Sequence, residues 1–301
     1  MKTIAISIGD INGIGIQLAL ENHNLVKKYC NPIYCIDKNI LKKATKKLNI
    51  KIPNDFKIYG KYIDLDIKAG KVSKKSGNFS YNSFLNGIKL VKNNKADAIC
   101  TLPINKEAWQ KAGVFYVGHT DMLRDIFKKD AIMMLGCSEM FVSLFTEHIP
   151  LKDVPKYIKK NKLKKFFKDF FYSINQYKKP IGVLGLNPHA GDNGVLGDEE
   201  KIIKKAIKQI NKELGSKFEL LVPDIAFSPN TRKNYKYFCA MYHDQGLAPL
   251  KALYFDESIN VSLNLPILRT SVDHGTAFDI AYKNKKISNL SYINAIKESC
   301  R

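Results

Sequence analysis

Short apolar runs alternate with amphipathic stretches along almost the whole chain. Thr3 to Ile8 is an unbroken β-branched and apolar run, the pattern of a strand buried on both faces. It leads into Gly9-Asp10-Ile11-Asn12-Gly13-Ile14-Gly15, after which Ile16 to Leu20 has helical character. Pro32 to Ile36, Ala98 to Leu102, Met140 to Phe145, Ile181 to Leu186, Leu220 to Val222 and Phe238 to Met241 read as further strands. Between them Ile40 to Leu48, Tyr81 to Lys92, Leu151 to Ile174 and Glu199 to Leu214 read as helices. The last is the clearest: Ile202, Ile203, Ala206, Ile207 and Ile210 form one stripe, Glu199-Glu200 suit the positive helix end, and Asp198 is the expected N-cap. Strands alternating with helices predict an α/β fold with a mostly parallel sheet. On a prior of roughly 150 residues per domain, a chain of 301 residues predicts two lobes, and no internal repeat or Pro/Gly-rich tether separates them.

Charge adds a question to that picture. Lysine plus arginine total 49 and aspartate plus glutamate 28, a net charge of +21. Only Arg124, Arg232, Arg269 and Arg301 are arginines, and the lysines spread over the whole chain. Reading of base edges and phosphates favours the planar guanidinium fork, so the excess is read as a solvated lysine surface that draws in anionic ligands. Nucleic acid and membrane are not expected partners. Cys30, Cys35, Cys100, Cys137, Cys239 and Cys300 form no CxxC and match no zinc module or disulfide framework, which predicts free thiols. No apolar stretch approaches the ~20 residues of a membrane helix, and the first apolar run is too short for a secretory signal. A cytoplasmic location is expected.

The glycine loop lacks the third glycine of the dinucleotide fingerprint, so a tight strand-to-helix turn explains it as well as ligand contact. The histidines say more. His119, His148, His189, His243 and His274 lie in short polar or glycine-containing segments assigned to the ends of strands, where open α/β sheets bind ligands. His23 is expected at the surface. Three neutral imidazoles suit a borderline divalent metal, and the pattern alone does not choose the three. Downstream, Lys251, Asn260, Arg269 and Thr270-Ser271 supply the fork, point charge and hydroxyls that a phosphomonoester needs.

These segments together resemble the 4-hydroxythreonine-4-phosphate dehydrogenase family of the vitamin B6 pathway. The resemblance runs almost end to end. It is carried by Ile8 to Gly15, Gly77 and Ser80, Ala96-Asp97-Ala98, Thr101 to Lys106, Gly118-His119-Thr120, Thr146 to Pro150, Asn187 to Gly191, Gly197 to Glu200, His243 to Gly246 and Arg269 to Ala281. It implies two α/β/α lobes with mostly parallel sheets, like isocitrate and isopropylmalate dehydrogenases, and an active site in the interlobe cleft. The first lobe is expected over 1–125 plus 272–301 and the second over 126–271. By resemblance, His148, His189 and His243 hold a divalent metal (zinc, cobalt or magnesium), and His119, Thr120, Lys251, Asn260 and Arg269 bind substrate.

The implied reaction is oxidation of 4-phosphooxy-L-threonine, a phosphorylated hydroxy amino acid, by NAD or NADP in a homodimer. Asn187, Gly191 and Gly197 are candidate dinucleotide contacts. Asp244, Lys106 and His274 are candidate catalytic acid–base groups, with Asp273 a further choice. The alternatives are a paralogue oxidising threonate or erythronate 4-phosphate, a metal-dependent phosphatase or lyase, and a lysine-rich nucleic-acid binder. Ile11, Ile16, Gln17, Asp121, Asp192 and Tyr282 to Lys285 depart from the family pattern, and none is an expected metal or phosphate ligand.

Overall fold

A computed structural model describes residues 1–301. Its ten strands are β1 (Thr3–Ser7), β2 (Asn31–Cys35), β3 (Ala98–Thr101), β4 (Ile132–Cys137), β5 (Met140–Leu144), β6 (Ile181–Leu184), β7 (Phe218–Leu221), β8 (Tyr237–Ala240), β9 (Ile259–Leu263) and β10 (Leu268–Val272). The chain divides into two compact units. The first comprises Met1–Lys129, Ile259–Val261 and Leu265–Arg301; the second comprises Asp130–Ser258 and Ser262–Asn264. No helix is long and apolar enough to cross a membrane.

In the first unit β2, β1, β3 and β10 lie side by side and all pair in parallel. Thr3 to Ser7 has no exposed residue, which is why the run is apolar without alternation. The helix Lys74–Lys92 lies along β1, where Ser83 Oγ accepts from Ile8 N at 2.9 Å and donates to Cys35 O at 2.8 Å. Its start lies seven residues before the expected Tyr81, because Ser73 caps it by accepting from Ser76 N. From sequence, 126–271, and with it Arg269, is expected in the second lobe. Pairing of β10 with β3 puts Arg269 in the first unit instead.

In the second unit the order is β4, β5, β8, β6, β7, parallel except for the β4–β5 hairpin. The helix Glu199–Leu214 runs over the expected residues and buries Ile203, Ala206, Ile207 and Ile210. Asp198 occupies the N-cap position but makes no capping hydrogen bond; its carboxylate pairs with Lys201 Nζ at 2.6 Å. The expected helix from Leu151 to Ile174 is broken into Leu151–Asp153, Val154–Tyr157 and Lys160–Ser173. Ile158 and Leu163 are both buried, yet on one continuous helix five residues' spacing puts them about 140° apart. The extended backbone at Lys159 turns both toward the core.

His23 is not at the surface. It is buried, with Nδ1 3.0 Å from the Tyr34 hydroxyl and Nε2 3.0 Å from Asp55 Oδ1. The Tyr34 and Phe56 rings, stacked at 3.8 Å, form the apolar wall that takes it out of water. All six cysteines are free thiols.

Candidate active site

The first unit builds a buried polar cluster around Arg269. Side chains two apart on a strand share a face, so Arg269 and Ser271 point the same way from β10. Ser271 pairs with Thr101 across the β3 register, which sets Thr101 diagonally beside Arg269. The Thr101 hydroxyl accepts from Arg269 Nε at 3.1 Å and from Nη2 at 2.7 Å. Arg269 Nη1 approaches Asn260 Oδ1 at 3.4 Å. Nη2 also donates to His119 Nδ1 at 3.0 Å. Burial pulls the guanidinium down to about 9, so it stays charged at neutral pH.

His119 opens the helix His119–Phe127 and is packed edge-on against Phe84, at 4.5 Å, and Trp109, at 5.4 Å. Trp109 is itself held by its indole N–H donating to Ser80 Oγ at 2.7 Å. A guanidinium only donates, so Nδ1 of His119 accepts and the ring proton resides on Nε2. Burial, helped by the Arg269 charge, holds the imidazole well below its usual pKa, so it is neutral. The Nε2–H is buried and has no hydrogen-bond partner in the protein. A buried donor without an acceptor costs about 1–3 kcal/mol, and a ligand oxygen removes that cost. Thr120, the next residue, is also buried.

The opening glycine loop belongs to this unit. Asp10 N donates to Pro103 O at 2.8 Å and Ile14 N to Thr276 O at 3.1 Å, so the loop joins the segments after β3 and β10. The Asp10 carboxylate accepts from Asn12 N at 2.9 Å and from Ser76 Oγ at 3.2 Å. Desolvation outweighs these bonds and raises its pKa from 3.8 to about 6. Because the folded value lies above the unfolded one, the stability this carboxyl contributes is complete below about pH 4 and is lost as pH rises through about 6. Asp10→Asn is therefore expected to gain about 3 kcal/mol on the wild type between pH 3.5 and pH 7 in urea unfolding. A constant difference across that range refutes the assignment.

The second unit gathers the other histidines. His148 follows β5 and His243 follows β8, and these loops are tied where Thr146 Oγ1 donates to Met241 O at 2.6 Å. The two rings lie 5.5 Å apart. Two imidazoles sharing one tetrahedral ion at about 2.1 Å per bond have centroids roughly 5 Å apart, so this pair suits a divalent metal. His243 Nδ1 is 2.8 Å from Asp244 Oδ1, the carboxylate contact that orients a ligating ring and leaves Nε2 for the metal. His189 sits on the loop after β6, which Gln245 bridges to the β8 loop by donating to Gly185 O at 2.6 Å and accepting from Met241 N at 2.8 Å. No three His, Cys, Asp or Glu side chains come together as a metal-holding group.

The His189 loop is strained. His189, Ala190, Gly191, Asp192 and Asn193 are consecutive left-handed residues, with φ between 40° and 78°. Such backbone persists where its surroundings dictate it and concentrates at functional sites. Glu200 is the surrounding cause: Oε1 accepts from Leu186 N and Asn187 N, both at 2.7 Å. A Cβ on Gly191 would lie 2.5 Å from Glu200 Oε2, and one on Gly197 would lie 2.2 Å from Asn187 Nδ2. Asn187 Nδ2 donates to Glu199 at 2.7 Å and to Glu200 at 3.0 Å. The candidate dinucleotide residues Asn187, Gly191 and Gly197 thus build this loop. Glu200, expected only as a favourable charge at a helix start, organises it.

Lys251 belongs to the helix His243–Tyr254 in the second unit, its Nζ 5.3 Å from the Phe255 ring centroid. Lys106 begins the helix Lys106–Lys111 and is exposed. His274 directs Nδ1 to Gly275 O at 3.1 Å, and its Nε2 is buried without a partner. Asp273 N donates to Ser291 Oγ at 3.0 Å.

An α/β chain of this topology, with a buried arginine–histidine cluster in one unit and paired histidines at strand ends in the other, has the make-up of a metal-assisted enzyme for an anionic substrate. The model of the pyridoxal phosphate biosynthetic protein PdxA matches residues 28–299. A protein of Sulfurimonas denitrificans named 4-hydroxythreonine-4-phosphate dehydrogenase is 61% identical over 298 residues, covering 98% of this chain and 96% of the relative. One of the same name from Campylobacter fetus subsp. fetus is 56% identical over 300 residues, covering 99% and 97%. The crystal structure of a 4-hydroxythreonine-4-phosphate dehydrogenase from Burkholderia phymatum superposes with a TM-score of 0.84 at 30% identity, covering 100% of this chain and 98% of that one. The chain belongs to the PdxA family of pyridoxal phosphate biosynthetic proteins. It is an oxidoreductase with the isocitrate/isopropylmalate dehydrogenase-like fold.

Proposed function

We propose that this chain oxidises 4-phosphooxy-L-threonine at its secondary hydroxyl, with NAD or NADP and a divalent zinc, cobalt or magnesium ion. The product, 2-amino-3-oxo-4-phosphooxybutanoate, then loses carbon dioxide to give 3-amino-2-oxopropyl phosphate. The observation that carries the reading is the buried Arg269–His119 pair with its unpartnered Nε2–H. It offers charge and a directed donor to a phosphate, in a chain 61% identical to a relative named for that substrate.

When bound, the ion would offer a Lewis acid to the reacting hydroxyl and the nicotinamide a hydride acceptor. His148 and His243 would hold the ion, joined by His189 as the third imidazole that the family resemblance implies, with Asp244 keeping the His243 ring in its ligating tautomer. His119, Thr120, Lys251, Asn260 and Arg269 bind the substrate, and the phosphate anchors it in ground and transition states alike. Among the candidate acid–base groups, Asp244 is engaged by His243, Lys106 is exposed, and His274 Nε2 keeps an unpartnered lone pair. Exposed Val195 and Phe255 in the second unit offer apolar surface to the second copy of a cytoplasmic homodimer.

The test is a substrate panel on chelator-stripped protein, with each metal and each nicotinamide added back. Metal-dependent growth of reduced-nicotinamide absorbance with 4-phosphooxy-L-threonine is expected. Turnover of threonate or erythronate 4-phosphate alone would move the chain to the sugar-acid paralogue. No reduction with any of these substrates refutes the dehydrogenase reading.

A further inference from the structure

We propose that Thr101 is the positioning residue of the anion site: its hydroxyl fixes the Arg269 fork, and the fixed fork sets the tautomer of His119. The inference rests on Arg269 and His119 being the phosphate anchors. One oxygen takes two N–H bonds of one guanidinium, from Nε at 3.1 Å and from Nη2 at 2.7 Å. The second Nη2–H goes to His119 Nδ1 at 3.0 Å. The two Nη2 hydrogens lie in the guanidinium plane, so once one is held on Thr101 the direction of the other is set.

The fold supplies the clamp with little freedom. Thr101 closes β3, is fully buried, and stands opposite Ser271, diagonally beside Arg269. Its own proton is directed toward Thr270 O at 3.5 Å, which leaves the oxygen lone pairs for the guanidinium. The arginine stem is long and rotatable, and β-strand pairing alone does not fix the rotation of its fork. Without the hydroxyl the fork loses its two hydrogen bonds to Thr101, Nη2 is no longer aimed at Nδ1, and His119 is no longer obliged to present a proton on Nε2. Thr101 itself need touch no substrate.

The experiment compares Thr101→Val, Thr101→Ser and Arg269→Ala in the metal-loaded full chain. It reads KM for 4-phosphooxy-L-threonine, kcat, and competitive inhibition by inorganic phosphate. Thr101→Val is expected to raise KM and the phosphate inhibition constant about 10- to 100-fold with kcat within about threefold, because it weakens anion binding shared by ground and transition states. Thr101→Ser, which keeps the oxygen, is expected to restore both within about threefold of wild type. If Arg269→Ala raises KM while Thr101→Val leaves it unchanged, or if serine is no better than valine, the clamp is refuted and the anion site stands. If Arg269→Ala itself leaves KM unchanged, both fall. A measurement on the wild-type protein guards against a valine variant that does not fold. Long-range proton–nitrogen spectra of histidine-labelled protein are expected to show His119 protonated at Nε2 and bare at Nδ1. The reverse tautomer overturns the proposal.

Discussion

His243→Ala is expected to lower metal-dependent turnover by about a thousandfold or more while the far-ultraviolet dichroism of the chain stays unchanged. The side chain is only half-buried at the start of the helix His243–Tyr254, so little packing is lost. The loop beneath it is held by other groups, through Thr146 to Met241 and Gln245 to Gly185. What disappears is one of two imidazoles 5.5 Å apart, together with the nitrogen that Asp244 orients. Metal content by mass spectrometry should fall in step with turnover. Asp244→Asn should weaken metal affinity by only about 10- to 100-fold, the usual cost of losing an outer partner. Full turnover in metal-free His243→Ala protein removes His243 from the metal site.

The strands that are legible are short apolar runs carrying β-branched or aromatic residues, as in β1 and β8. The three that were missed break that pattern for identifiable reasons. β4 reads IMMLGC, a flexible, methionine-rich run with one β-branched residue, and it pairs antiparallel beside its hairpin partner. β9 and β10 read INVSL and LRTSV and bury polar side chains: Ser262 and Thr270 are fully buried, and Arg269 nearly so. An arginine in a buried strand contradicts the hydrophobic pattern, and the anion site proposed for it would account for the exception. Failures of local pattern are expected at such places.

The candidate residues themselves were legible as residue types, since histidine and arginine are scarce in so lysine-rich a chain. Their supports were not. Thr101, Asp10 and Glu200 look in sequence like a strand end, a turn aspartate and a helix-start charge. Their weight comes from burial and from partners 168, 66 and 13 residues away respectively. Nothing in the local spacing encodes those distances. The burial of His23 is hidden for the same reason, because its partners Tyr34 and Asp55 come from other segments.

Arg269→Ala is expected to raise KM for the phosphorylated substrate by about 100-fold, the loss of one charge-assisted bond and the buried charge behind it, about 1.5–3 kcal/mol together. The side chain is nearly fully buried and still charged at neutral pH, so its attraction for a phosphate is screened far less than that of surface lysines. This separates two sources of anion affinity that the net charge of +21 would otherwise blur. The diffuse lysine field should weaken as salt is raised toward 1 M, where the screening length is about 3 Å. The ratio of variant to wild-type KM should persist there. Arg269→Lys should recover only a small part of the loss, since an ammonium cannot span Thr101 and His119 with one planar fork. Removing the guanidinium also frees His119 Nδ1 and takes a positive charge from beside it, so its pKa should rise from its depressed position. An unchanged KM at both low and high salt would take Arg269 out of the phosphate site and return the buried cluster to a purely structural role.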